Sequence, residues 1–111
     1  MPRDYKVYME DILAATEKVI RYTTGLSPEN FVQDEKTFDA VIRNLEIIGE
    51  AVKNVPDDVR KQFPDVEWKK IAGLRDILIH EYFGIDVEIV WDVITNKLPG
   101  LKRDIRKILE R

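Results

Sequence analysis

Apolar residues recur along almost the whole chain at intervals of three and four, punctuated by capping and stop residues, with no stretch of period-two alternation. That rhythm builds a buried stripe on a helix, so the chain is confined to helices packed on helices. From Asp4 to about Thr23 the stripe is Tyr5, Tyr8, Met9, Ile12, Ala15, Thr16, Val19, Ile20 and Thr23, and Gly25 supplies the stop. Ser27 followed by Pro28 looks like a cap and a first helical position, opening a short turn through Phe31 and Val32. Asp34 can cap a helix to about Lys53, with Phe38, Val41, Ile42, Leu45, Ile48, Gly49 and Val52 inward and Asp39, Arg43, Glu46, Glu50 and Lys53 outward. Gly49 costs about 1 kcal/mol of helix propensity relative to alanine, so it is expected to permit a close helix contact. A short helix through about Gln62 follows Val55–Asp58, ended by Phe63 and Pro64. Asp65 is expected to cap the next helix and Gly84 to end it. Asp86 then caps a helix through about Lys97, and Pro99-Gly100 interrupts before a last helix faced by Leu101, Ile105, Ile108 and Leu109. The expected architecture is all-α, an up-and-down bundle of about five helices forming a single domain over residues 1–111.

Composition narrows the function classes. With 111 residues, 44% hydrophobic and 35% charged, the chain can bury a real core. It has no cysteine and one histidine, so neither a disulfide framework, a cysteine metal site nor a histidine-rich one is expected, and no metal or cofactor is assigned. The first twenty residues mix charged and apolar positions, unlike a secretory signal or a membrane span, and a cytoplasmic address is the default expectation. A net charge of −3 argues against a protein that coats nucleic acid through a basic surface. The charge is uneven, however: residues 102–111 carry +3 and the rest −6. The basic tail is either a solvated helix face or a modest attraction for RNA.

The single histidine lies in Gly73–Gly84 (GLRDILIHEYFG). At about 100° per residue, Trp68, Ile71, Ala72, Leu74, Leu78, Ile79, Tyr82 and Phe83 share one apolar arc, and Arg75 falls in its middle. Lys69, Lys70, Gly73, Asp76, His80 and Glu81 lie opposite, so Asp76 and His80 are neighbours one turn apart. An arginine inside an apolar stripe keeps its charge and needs a partner, a wet cleft or an anion. Arg75 can bury its stem and raise its head into water, or pair with a carboxylate, and one on the Arg43, Glu46, Glu50 ladder is a possible holder. His80, in the last turn, sits near the negative helix end and Asp76, both of which favour its protonated form.

Arg75-x4-His80-x-Tyr82 resembles the Arg-x4-His-x-Tyr signature of HepT-like toxins, in the HEPN superfamily of small all-helical RNases, and Asp76 fits the polar residue often found after that arginine. Arg43–Ala51 (RNLEIIGEA), Trp68–Arg75 (WKKIAGLR) and the Val90-Trp91 region are similar to the same family, so the resemblance covers nearly the whole chain. It implies a type II toxin-antitoxin pair, an RNA substrate, a 2′,3′-cyclic phosphate product and a nucleotidyltransferase antitoxin of the MNT class that adds AMP to the motif tyrosine, here Tyr82. It also implies a homodimer.

The residues themselves permit that chemistry. RNA is cut without a metal when a base takes the 2′-hydroxyl proton and a cation stabilises charge on the phosphoryl oxygens. His80 is of the right pKa class for acid or base, Arg75 carries the right fork for a phosphate, and Asp76 can orient the imidazole. No P-loop, glycine-rich phosphate cradle or zinc set competes. Arg75 and His80 are five residues apart, about 140° and 7.5 Å of rise on a regular helix, so two copies are expected to build the working site, with the apolar arc as interface. The alternative is a non-catalytic helical module that binds a nucleotide or a nucleotidyltransferase, in which Arg75 holds a phosphate and Tyr82 packs.

Overall fold

A computed structural model describes residues 4–80 and 86–110, apart from the side chains of Ile77, Ile79 and His80. Every regular element among them is helical: α1 (Tyr5–Thr23), α2 (Pro28–Gln33), α3 (Glu35–Asn54), α4 (Asp57–Gln62), α5 (Trp68–His80), α6 (Val87–Asp92), a π-helical segment (Val93–Lys97) and α7 (Leu98–Leu109). The all-α expectation holds.

Local chemistry accounts for most boundaries. Asp4, Ser27, Asp34 and Asp86 each accept a hydrogen bond from a backbone N–H of the first turn they precede, satisfying donors with no helical partner. Asp34 also accepts from the Thr37 hydroxyl at 2.8 Å, and the Thr37 amide and hydroxyl together hold its carboxyl below the usual range. After α1 the chain reverses at Gly25 with φ +84°, a conformation that suits a residue without Cβ. Thr16 and Thr23 can be buried because their hydroxyls donate to Ile12 O and Val19 O, at 2.7 and 2.8 Å.

The end of α3 is closed from outside. Arg60, on α4, donates from Nε to Val55 O at 3.1 Å and from Nη2 to Val52 O at 2.6 Å, the latter also accepting the Val55 amide at 3.1 Å.

Two boundaries differ from expectation. Helix α5 starts at Trp68, and Asp65 lies in the turn before it rather than at the cap. The Trp68 indole donates to Phe63 O at 2.9 Å and Val66 is buried, so the chain must complete a turn before Glu67 O can accept the first helical bond from Ile71 N. Pro99-Gly100 does not interrupt the helix either. The chain runs on helically from Val87 to Leu109, because the π segment widens the turn ahead of Pro99: the Leu98 amide bonds five residues back to Val93 O. Pro99, lacking an N–H, then falls in the first turn of α7, where none is needed.

The long helices pack in the order α7, α1, α3, α5. Met9, Ile12, Leu45, Ile48 and Ile105 are fully buried at the shared core. Burying one such side chain is worth about 1.5–3 kcal/mol. Phe31 joins α2 to this core, its ring centroid 5.3 Å from Phe38 and 5.4 Å from Trp91. Glu67 pairs with Lys70 at 2.8 Å and Lys97 at 3.7 Å, tying the start of α5 to the π segment. The Lys70 hydrogen bond and charge lower the Glu67 pKa, and the Glu67 hydrogen bond and charge raise that of Lys70. No helix among the described residues is long and apolar enough to cross a membrane.

Candidate active site

Helix α5 lies along α3, and the seam between them holds Arg75. The approach is close at Gly49, where an added Cβ would stand 2.7 Å from Arg75 Cβ, 3.1 Å from its amide nitrogen and 3.3 Å from its Cα. Only a residue without a side chain allows the two backbones this near. The close contact expected of Gly49 is therefore present, and it falls on the motif arginine.

The next residue of α3 takes the head of that arginine. Arg75 Nε lies 2.7 Å from Glu50 Oε2, and Nη1 lies 3.9 Å from Asp76 Oδ1. The Arg75 side chain is 34% exposed and Glu50 is 55% exposed, so the stem is packed and the head reaches water. Both alternatives for a charge on an apolar stripe are realised together, and Glu50 is the carboxylate that the ladder supplies. Asp76 lies 3.0 Å from Lys53 Nζ through the same Oδ1 that approaches Arg75. The α3 residues 49, 50 and 53 thus seat Arg75 and Asp76 of α5.

Arg75 opens onto a cleft of about 350 Å³ whose walls come from α1, α3 and α5, lined by Tyr8, Asp11, Arg43, Glu46, Ile47, Glu50, Ala51, Asn54 and Arg75. Arg43 pairs with Glu46 at 3.6 Å at its rim. The guanidinium of Arg75 meets Glu50 at Nε and approaches Asp76 with Nη1, two contacts for a group with five N–H donors. That geometry leaves donors for an anion entering the cleft.

His80 is the last residue of α5, five positions and more than one turn beyond Arg75, and its side chain lies outside the described residues. Tyr82, the expected AMP acceptor, and Gly84, the expected helix stop, lie outside them as well. The apolar arc is largely occupied within the chain: Trp68, Leu74 and Leu78 are buried in its own core, and Ile71 and Ala72 pack against it. Trp68, Leu74 and Leu78 are thus covered within the chain, while Ile79, Tyr82 and Phe83 of the arc lie outside the described side chains. No group of three or more His, Cys, Asp or Glu side chains among the described residues is placed to hold a metal ion.

The described residues form a small all-α bundle that clamps an arginine at the edge of a cleft. The sequence model of the family described as "Ribonuclease HepT-like" matches residues 12–108. The chain belongs to that family, and so to a class of ribonuclease enzymes. It is 46% identical over 111 residues to a protein of Methanocaldococcus jannaschii that bears the name "Putative RNase", covering 99% of this chain and 92% of the relative. It is 44% identical over 108 residues to the "Probable ribonuclease HepT" of Thermococcus cleftensis, covering 97% and 98%. A "Putative RNase" of Caldanaerobacter subterraneus subsp. tengcongensis is 46% identical over 104 residues, covering 94% and 93%. No solved structure matches the chain at a significant level.

Proposed function

We propose that this protein is a metal-independent endoribonuclease in which Arg75 and His80 carry the reaction and Asp76 supports them. The observation that carries the reading is Arg75, paired with Glu50 at Nε and lining a cleft, in a chain of the HepT-like ribonuclease family. His80 accepts the proton of a 2′-hydroxyl as its oxygen attacks the neighbouring phosphorus. Charge gathers on the phosphoryl oxygens, where the Arg75 guanidinium stabilises it. The bond from phosphorus to the 5′-oxygen then breaks, and that oxygen takes up a proton from water or from an imidazolium. The products are a 2′,3′-cyclic phosphate and a 5′-hydroxyl.

Five residues of helix separate Arg75 from His80 by about 7.5 Å of rise and 140° of turn. One helix can hardly aim both at a single phosphate, so the reading includes a homodimer in which two copies of α5 contribute to a shared cleft. It also includes a nucleotidyltransferase antitoxin of the MNT class as partner in a type II toxin-antitoxin pair. AMP on Tyr82 would place phosphates beside the catalytic groups and exclude RNA.

Incubating tRNA with the protein and a chelator, beside His80→Ala, tests the chemistry. Wild type should cut and His80→Ala should not, while equal cutting removes His80 as acid or base and no cutting by either favours a non-catalytic nucleotide-binding module. Mixing inactive Arg75→Ala with inactive His80→Ala tests the composite site: cleavage should return in part, and its absence despite subunit exchange would place each site within one chain. Intact-mass spectrometry of protein made with a cognate nucleotidyltransferase should show added AMP that Tyr82→Phe abolishes. An unmodified mass would leave occlusion as the mechanism.

A further inference from the structure

The reaction as proposed uses Arg75 and His80, yet the seam that holds Arg75 is built by α3, outside the motif. Two independent features of that seam converge on one residue. The backbone of Arg75 is seated against Gly49, where no side chain fits between the helices. Its head is tied to Glu50, the next residue, at 2.7 Å.

We infer that Glu50 is a positioning residue for the reaction: its carboxylate fixes the plane of the Arg75 guanidinium, so that the Nη donors stand ready for the phosphoryl oxygens.

Bonding at Nε is the informative detail. An arginine offers a carboxylate either the paired Nη edge or the edge that includes Nε. Glu50 approaches at Nε, and Arg75 lines the cleft beside it. A carboxylate across the Nη pair would compete with phosphate, whereas one at Nε leaves that pair available. Lys53 completes the set by holding Asp76, so that its carboxylate does not claim the arginine alone: Asp76 Oδ1 is 3.0 Å from Lys53 and 3.9 Å from Arg75. As an ion pair between partly exposed groups, the contact adds little to folding. Its value lies in orientation, where a misplacement of about 1 Å can cost about 100-fold in rate.

The inference rests on the reading that Arg75 serves the phosphate, and the test separates the two. Cleavage of a labelled RNA is measured for wild type, Glu50→Gln and Glu50→Ala. In parallel, the Arg75 Nε–H signal is followed by nuclear magnetic resonance, assigned through its loss in Arg75→Lys. The expected order of kcat is wild type, then Glu50→Gln, which keeps a neutral acceptor, then Glu50→Ala, lowered by about 10- to 100-fold. KM and the melting temperature should change little, which a purely structural role would not produce. The Nε–H signal should be sharp and slow to exchange in wild type and broadened in Glu50→Ala. An unchanged signal, or a kcat that holds or rises in Glu50→Ala, overturns the inference, the latter making Glu50 an obstruction. If wild type cuts no RNA, the proposed function falls, while the Nε–H signal alone still decides whether Glu50 fixes Arg75.

Discussion

Arg60 and Arg75 both reach α3, from opposite sides of the loop that joins α4 to α5, and they use it differently. Arg60 gives Nε and Nη2 to the carbonyls of Val55 and Val52, so its head is spent on closing a helix end. Arg75 gives Nε to a half-exposed carboxylate and keeps donors over a cleft. Nearly the same side-chain chemistry serves stability in one place and is held in reserve in the other. What separates them is the partner: main-chain oxygens at a helix end, against a half-exposed carboxylate beside a cleft. A guanidinium's role is therefore read from which of its nitrogens are taken, more than from how buried it is.

Substitutions can break this contrast or sharpen it. The largest loss of stability should come from the core that both arginines depend on: Leu45→Ala, at a fully buried position, should cost about 2–5 kcal/mol in urea unfolding. Arg60→Ala should come next, at about 1.5–3 kcal/mol, because it strips a charged donor from partly buried carbonyls. A cost near zero would mean that water caps α3 as well as Arg60 does. Gly49→Ala sets about 1–3 kcal/mol of overpacking against about 1 kcal/mol of gained helix propensity. A modest net loss is expected, with a larger loss of cleavage, since the neighbours that must yield are the Cβ and backbone of Arg75. A gain in stability would show that the seam can open without strain.

The smallest effect should be at Asp34, remote from both arginines. Its pKa is lowered in the folded chain, so its contribution is fully present above the unfolded carboxylate value near 4 and is lost as pH falls through the folded value. The difference in urea midpoint between wild type and Asp34→Asn should therefore be measurable at neutral pH and shrink on acidification. A difference that persists at low pH would assign the effect to side-chain shape rather than charge.

Much of this was legible in the sequence because it is local. Caps at Asp4, Ser27, Asp34 and Asp86 and the stripes of α1 and α3 depend on residues within a turn or two of one another. The misreadings arose where a neighbour in space overrode a local rule. Asp65 lost its place as a cap because Trp68 bonds back to Phe63, and Pro99 failed to break the chain because a π turn absorbs it. Arg60 gave no periodic signal, since its targets come within reach only when the chain reverses after α3. At the site, Arg75 could be singled out as a charge on an apolar arc, and Glu50 was one of several carboxylates on a ladder. Choosing among them required the helix crossing at Gly49. Trp68, Leu74 and Leu78 of the arc that had been expected to face a second copy are buried within the chain.

The most direct test is the rate of RNA cleavage per folded molecule in Arg75→Ala and in Arg60→Ala, with the folded fraction fixed by circular dichroism and chelator present. The account predicts that Arg60→Ala, though less stable, cleaves at the wild-type rate, while Arg75→Ala, within about 1 kcal/mol of wild type in stability, loses about 100-fold or more. If Arg75→Ala cuts RNA within about twofold of wild type, the guanidinium over the cleft is not the group that meets the phosphate, and the assignment of this site is wrong.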